Sequence, residues 1–190
     1  MGQMILVTGG ARSGKSTFAE RYAAHCAAQR NTSVAYIATS QVYDEEMRRR
    51  VRLHRSRRPA DWTTYEAPYE AAAAIREAGA RHGVVLFDCI TMFLSNDILR
   101  YSEEEQQADA FAGRVLSRID ELICAAQAAD GTTVFVTNEV GTGIVPENRL
   151  ARLYRDMAGL ANQRLAAHAD KVYLVTCGLA VDIQKLAEDI

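Results

Sequence analysis

An α/β fold with a mainly parallel sheet and helices on both faces is what this sequence predicts, and three features predict it. Five short apolar runs recur along the chain, at Ile5–Thr8, Val34–Ala38, Val84–Asp88, Thr133–Asn138 and Val172–Thr176. Their β-branched content and near-continuous apolarity suit strands covered on both sides. Between them lie Ala/Glu/Arg-rich intervals of helical composition, and the first run leads into a glycine-rich loop and then a helix.

The first strand, Ile5–Thr8, is followed by Gly9-Gly10-Ala11-Arg12-Ser13-Gly14-Lys15-Ser16. This stretch fits the pattern G-x-x-x-x-G-K-[ST] at every specified position and opens the helix Ser16–Gln29. Backbone N–H groups of such a loop converge on anionic oxygens, and the unpaired donors of the helix N-terminus face the same phosphates. The candidate nucleotide-binding residues are therefore Gly9 to Ser16 with Thr17. Lys15 would reach the β/γ oxygens, and Ser16 would hold Mg²⁺. Arg12 lies outside the general pattern, as a phosphate or substrate contact or as a solvated loop arginine.

The second strand, Val34–Ala38, precedes a helix expected over Ser40–Arg58. Seven arginines between Arg48 and Arg58 make this the most charged segment of the chain. Such a cluster can neutralise a polyphosphate, approach a nucleic acid or bind an anionic surface. It also contains His54, which is either an ordinary helical histidine or a nucleophile toward an α-phosphate. Arg57-Arg58-Pro59-Ala60 reads as a turn within one domain, and Trp62-Thr63-Thr64-Tyr65 as an additional strand.

A helix over Pro68–Ala78 leads to the third apolar run, which ends in Asp88. Ligands of open α/β sheets bind at the carboxyl ends of the strands, so Asp88 either orients Mg²⁺ or its water opposite Ser16 or is a solubilising or capping aspartate. A long helix, Glu103–Ala129, separates this strand from the fourth, which ends in Asn138-Glu139 ahead of a glycine-containing turn. Glu139 either acts on water, a hydroxyl or the nucleotide, or supports the turn. Asn148–His168 reads as the last long helix, in which Asn162 and Gln163 make ordinary surface or inter-helix hydrogen bonds. Leu179–Ile183 is an edge strand or the start of a terminal helix.

The 190 residues suit one nucleotide-binding domain over 1–190. A net charge of −2, with 24% charged residues, argues against a general nucleic-acid binder. Cys26, Cys89, Cys124 and Cys177 are widely spaced, which favours reduced core cysteines over a zinc site or disulfide framework. The N-terminus lacks a signal-peptide pattern and the apolar runs are too short to span a bilayer, so a cytoplasmic protein without membrane insertion is expected.

The ordered set Gly9–Ser16, Tyr36-Ile37-Ala38-Thr39, His54-Arg55 with Arg58-Pro59 and Trp62, Asp88-Cys89-Ile90-Thr91, and Asn138 to Pro146 resembles the bifunctional adenosylcobinamide kinase/adenosylcobinamide-phosphate guanylyltransferase family. Arg155-Asp156 and Asn162-Gln163 extend the resemblance over nearly the whole chain. The resemblance implies a RecA-like P-loop NTPase fold and two reactions. One phosphorylates the aminopropanol hydroxyl of adenosylcobinamide from a nucleoside triphosphate. The other transfers GMP from GTP to adenosylcobinamide phosphate through a guanylylated histidine, which His54 matches. It further implies ATP and GTP as substrates, Mg²⁺, and a homo-oligomer, a trimer in the family. Arg55, Arg58, Glu66, Asn138 and Glu139 complete the candidate substrate or nucleotide contacts.

Overall fold

The computed structural model describes residues 2–41, 45, 48–49, 52 and 58–188. Seven strands form one sheet in the order β3-β2-β4-β5-β1-β6-β7. They are β1 (Gln3–Thr8), β2 (Val34–Ala38), β3 (Thr63–Glu66), β4 (Val84–Asp88), β5 (Thr132–Val136), β6 (Lys171–Thr176) and β7 (Leu179–Asp182). Every pairing is parallel except that of β6 with β7, where a tight turn makes a hairpin. The mostly parallel α/β class thus agrees with the expectation, and Leu179–Asp182 resolves as an antiparallel edge strand.

Side-chain alternation gives each face of the sheet its own core. Ile5, Val7, Tyr36, Leu86, Val134 and Val136 lie on the face covered by α1 (Lys15–Arg30), through its Ala19, Ala23, Cys26 and Ala27. Met4, Leu6, Ile37, Val85, Phe87 and Phe135 face the opposite way. There they meet α2 (Ala71–Gly79), α3 (Ile90–Ile98), α5 (Phe111–Ala128) and α6 (Arg149–Ala166), while the short α4 (Glu103–Gln107) contributes no buried residue. In α5, Phe111, Val115, Ile119, Leu122 and Ala126 recur at three- and four-residue spacing, the stripe that a helix needs to pack on a sheet.

Three expectations need correction. The single helix over Glu103–Ala129 is two helices, parted at Ala108, whose extended backbone ends α4. Ser102 and Glu105 close a capping box on α4, so the short helix has its own start signal. The helix Ile90–Ile98 is additional. Of the four cysteines, which are all free, Cys26 is buried, Cys89 is half-buried, and Cys124 and Cys177 are exposed rather than in the core. The helix expected over Ser40–Arg58 lies mostly outside the described residues; Glu45, Arg48, Arg49 and Arg52 within it are helical and exposed.

Candidate nucleotide site

Alternation along β4 sends Val84 and Leu86 to the α1 face, and Asp88 at the strand end has the same parity. The carboxylate is thereby placed on the side of the sheet whose covering helix begins at Lys15 and Ser16. The loop between β1 and α1 has the backbone for which its glycines were singled out. Gly14 is left-handed, with φ of 96°, and Arg12 also takes a positive φ, 57°, within the loop. Such changes of backbone hand turn successive N–H groups into a concavity that suits anions. No acidic residue occupies the first turn of α1, so nothing there opposes the positive end of the helix dipole.

The segments that follow β5 and β6 hold this loop by its carbonyls. The Gly178 N–H donates to Ser13 O at 2.8 Å, and the Glu139 N–H donates to Gly9 O at 3.2 Å. Within the loop, the Ser13 N–H and the Lys15 ammonium both donate to Gly10 O, at 3.3 and 3.1 Å. Desolvation holds the Lys15 ammonium below the ordinary lysine range, opposed in part by the negative charge of Asp88. A half-buried cation beside a carboxylate is suited to anionic oxygens.

Gly9 is required for space. A Cβ there would stand 2.4 Å from the carbonyl oxygen of Val175 in β6, a backbone atom that cannot rotate away. Gly9→Ala is expected to separate β1 from β6 at the loop, costing about 1–3 kcal/mol, and to weaken nucleotide binding. Denaturant unfolding and a nucleotide titration check both effects; unchanged values in both would contradict them.

Asp88 accepts a hydrogen bond from the Tyr36 hydroxyl at 2.8 Å. Next to it, the backbone N–H of Cys89 donates to the Thr39 hydroxyl oxygen, which in turn donates to the Cys89 carbonyl, both at 2.8 Å. Asn96 fixes Thr39 from behind by donating to its carbonyl at 2.8 Å. Burial pushes the Cys89 thiol up to about 11, with Asp88 adding to the shift, so this cysteine is a poor nucleophile at neutral pH.

The remaining candidates separate into those that the fold gathers and those that it does not. Asn138 donates to the Thr91 hydroxyl at 2.9 Å, and its carbonyl accepts from Asn162 at 3.0 Å. Asn162 also accepts from Thr137 at 2.6 Å, so it ties α6 to the end of β5, whereas Gln163 is exposed. The Glu139 carboxylate accepts from the Gly141 N–H at 2.7 Å, the contact of turn support. Gly10, Ala11, Arg12 and Thr17 are exposed, while Ser13 and Ser16 are half-buried. Arg58 stacks on Tyr36, with its guanidinium carbon 3.2 Å from the ring centroid, and donates to Thr64 at 3.3 Å. Glu66 is exposed at the end of β3 and lines an open groove of about 390 Å³ with Tyr65, Tyr69, Glu70 and Glu77. His54 and Arg55 lie outside the described residues.

Sequence reasoning did not assign roles to Tyr36 or Gly178. Cys177-Gly178 carried a turn signal, and both residues have positive φ, 53° and 79°. That the turn would rest on the phosphate loop had no local signal.

A family model described as cobinamide kinase / cobinamide phosphate guanyltransferase matches residues 5–183. The bifunctional adenosylcobalamin biosynthesis protein CobU of Salmonella typhimurium is 46% identical over 185 residues, covering 95% of this chain and 99% of that protein. CobP of Pseudomonas aeruginosa, with the same description, is 38% identical over 179 residues, covering 94% and 96%. A solved structure, the KaiC-like protein PH0186 of Pyrococcus horikoshii, aligns with 90% of this chain and 70% of its own at 14% identity and a TM-score of 0.48.

Proposed function

Because the chain belongs to the cobinamide kinase/cobinamide phosphate guanyltransferase family, we propose that the Gly9–Ser16 loop binds the nucleotide of both reactions and that His54 is the guanylylated nucleophile. The chain is an adenosylcobinamide kinase and adenosylcobinamide-phosphate guanylyltransferase, and its product is adenosylcobinamide-GDP. The observation that carries the site reading is the meeting of the anchored loop, the desolvated Lys15 and the strand-end Asp88 on one face of the sheet.

In the kinase reaction, the loop N–H groups and Lys15 hold the β- and γ-phosphates while the aminopropanol hydroxyl attacks the γ-phosphorus. Lys15 stabilises the charge that redistributes onto the phosphate oxygens. Ser16 and Asp88 supply hard oxygen donors, a set that fits Mg²⁺, which takes one or two protein ligands together with phosphate oxygens and water. When bound, that ion neutralises charge on the phosphates. Both ATP and GTP belong to this reading as substrates, with Arg55, Arg58, Glu66, Asn138 and Glu139 as further contacts.

In the guanylyl reaction, a neutral imidazole nitrogen of His54 attacks the α-phosphorus of GTP. A P–N bond forms, the α–β anhydride bond breaks, and pyrophosphate leaves. The phosphate oxygen of adenosylcobinamide phosphate then attacks the same phosphorus, the P–N bond breaks, and histidine is regenerated. Arginines between Arg48 and Arg58 stabilise charge on the phosphates during both steps.

The strand order, with β5 between the loop-bearing β1 and the Asp88-bearing β4, supports a RecA-like P-loop arrangement. One domain over 1–190, a homotrimer and a cytoplasmic location complete the reading. Among the described residues, no helix is long and apolar enough to cross a membrane.

Parallel incubations with α-labelled and γ-labelled GTP test it. Protein-bound label from the α position, and γ-label on adenosylcobinamide, are the expected results. Stable GTP binding with neither product would refute the enzymatic reading, and γ-transfer alone would remove the guanylyl half.

A further inference from the structure

Tyr36 sits in the middle of β2, 2% exposed and surrounded by the apolar face that packs on α1. A phenylalanine would fill that space without burying a hydroxyl, so the hydroxyl requires a partner. It has Asp88. In the register of β2 with β4, Tyr36 pairs with Leu86, two residues before Asp88 on the same face. That offset, about 6.6 Å along the strand, is within the reach of a tyrosine ring and its oxygen. The phenol hydroxyl donates to the carboxylate at 2.8 Å.

Two further observations give this contact consequences. Lys15 lies within the field of Asp88, yet its ammonium bonds to Gly10 O and none of the described ion pairs joins it to Asp88. Arg58, four residues beyond His54 in the chain, rests its guanidinium on the face of the same tyrosine. A cation over the ring draws electron density from it and makes the phenol a stronger donor.

We propose that Tyr36 is a positioning residue: its hydroxyl holds Asp88 toward the metal and away from Lys15, and its ring seats Arg58. This rests on the reading of Asp88 as metal support. Through one side chain, the carboxylate that serves the metal and the Arg58 guanidinium are placed relative to each other.

Tyr36→Phe removes the hydroxyl and keeps the ring under Arg58. Mn²⁺ binding, titrated by electron paramagnetic resonance with a non-hydrolysable GTP analogue bound, is expected to weaken about tenfold, the range for loss of a group that orients a metal ligand. Kinase turnover in the same variant should need about tenfold more Mg²⁺ for half-activation and recover at saturating Mg²⁺. Asp88→Asn serves as the reference. If it weakens Mn²⁺ binding while Tyr36→Phe, folded by thermal melt, does not, the role of Tyr36 is overturned and the metal assignment stands. If Asp88→Asn itself binds Mn²⁺ normally, the metal assignment falls and the role of Tyr36 with it. Should Tyr36→Phe not fold, the double variant decides the matter from Asp88: in an Asp88→Asn background Tyr36→Phe would recover Mn²⁺ affinity only to that of Asp88→Asn, and a further loss, or a failure to fold there too, would count against the proposal.

Discussion

Lys15→Ala is expected to reduce phosphoryl transfer about 10²- to 10³-fold, the scale on which one preorganised donor to a transition-state oxyanion contributes. The lysine is half-buried, and the loop that carries it is anchored by Gly178 and Glu139 rather than by the ammonium, so the loss should fall on chemistry more than on folding. Because the same loop is proposed to face the nucleotide in both reactions, GMP transfer should fall as well. The wild-type enzyme provides an internal check through pH. Desolvation lowers the Lys15 pKa, so the cation is lost as pH rises through a value below the ordinary lysine range, and kcat/KM should decline on its alkaline side. Lys15→Arg, whose charge persists, should lack that decline. A folded Lys15→Ala protein with native kinase turnover would contradict the assignment.

The parts of this site that could be read from the sequence are those encoded within a few consecutive residues. The phosphate loop is one, because glycine spacing, lysine and hydroxyl all belong to a single turn. The strand ending in Asp88 is another, since Val84–Asp88 has the apolar run and terminal carboxylate of a buried strand, and the fold gives those same limits. By contrast, α3 was not legible. Seven of the nine residues of Ile90–Ile98 are buried, among them Thr91, Asn96 and Asp97, so no polar face marks a helical period. The break before α5 was hidden for the opposite reason: Ala108-Asp109-Ala110 contains neither glycine nor proline to mark it, and α5 begins at the buried Phe111.

Spatial order was the larger omission. Five apolar runs state that strands exist but not which strands are neighbours, and the pairing of Tyr36 with Asp88 depends on β2 lying beside β4 in a particular register. Asn162 shows the same dependence. On a helix it reads as an amide with surface or inter-helix hydrogen bonds, whereas in the fold it bonds Thr137 and Asn138 just beyond the end of β5. Leu179–Asp182 was ambiguous because its larger apolar residues, Leu179 and Val181, face outward on an edge strand while Ala180 and Asp182 are partly covered.

His54→Asn should abolish protein-bound GMP and leave phosphorylation of the cobinamide hydroxyl measurable. The two reactions differ in which phosphorus is attacked and by what. In the proposed mechanism a hydroxyl of the substrate attacks the γ-phosphorus directly, so the kinase half would need the loop, Lys15 and the metal-supporting groups but no nucleophile from the chain. The guanylyl half needs an atom that can hold GMP between two displacements, and Cys89, the thiol at the described site, is held protonated by burial and by Asp88. A neutral imidazole can fill that role at pH 7. The contrast with Lys15→Ala is therefore informative: loss of the lysine should depress both activities, whereas loss of the histidine should separate them. Intact-protein mass measured after incubation with GTP should show the added GMP in the wild-type chain and no addition in His54→Asn, with circular dichroism confirming the fold. Acid-labile GMP labelling at the wild-type level in folded His54→Asn would move the nucleophile to another residue while leaving the kinase assignment in place.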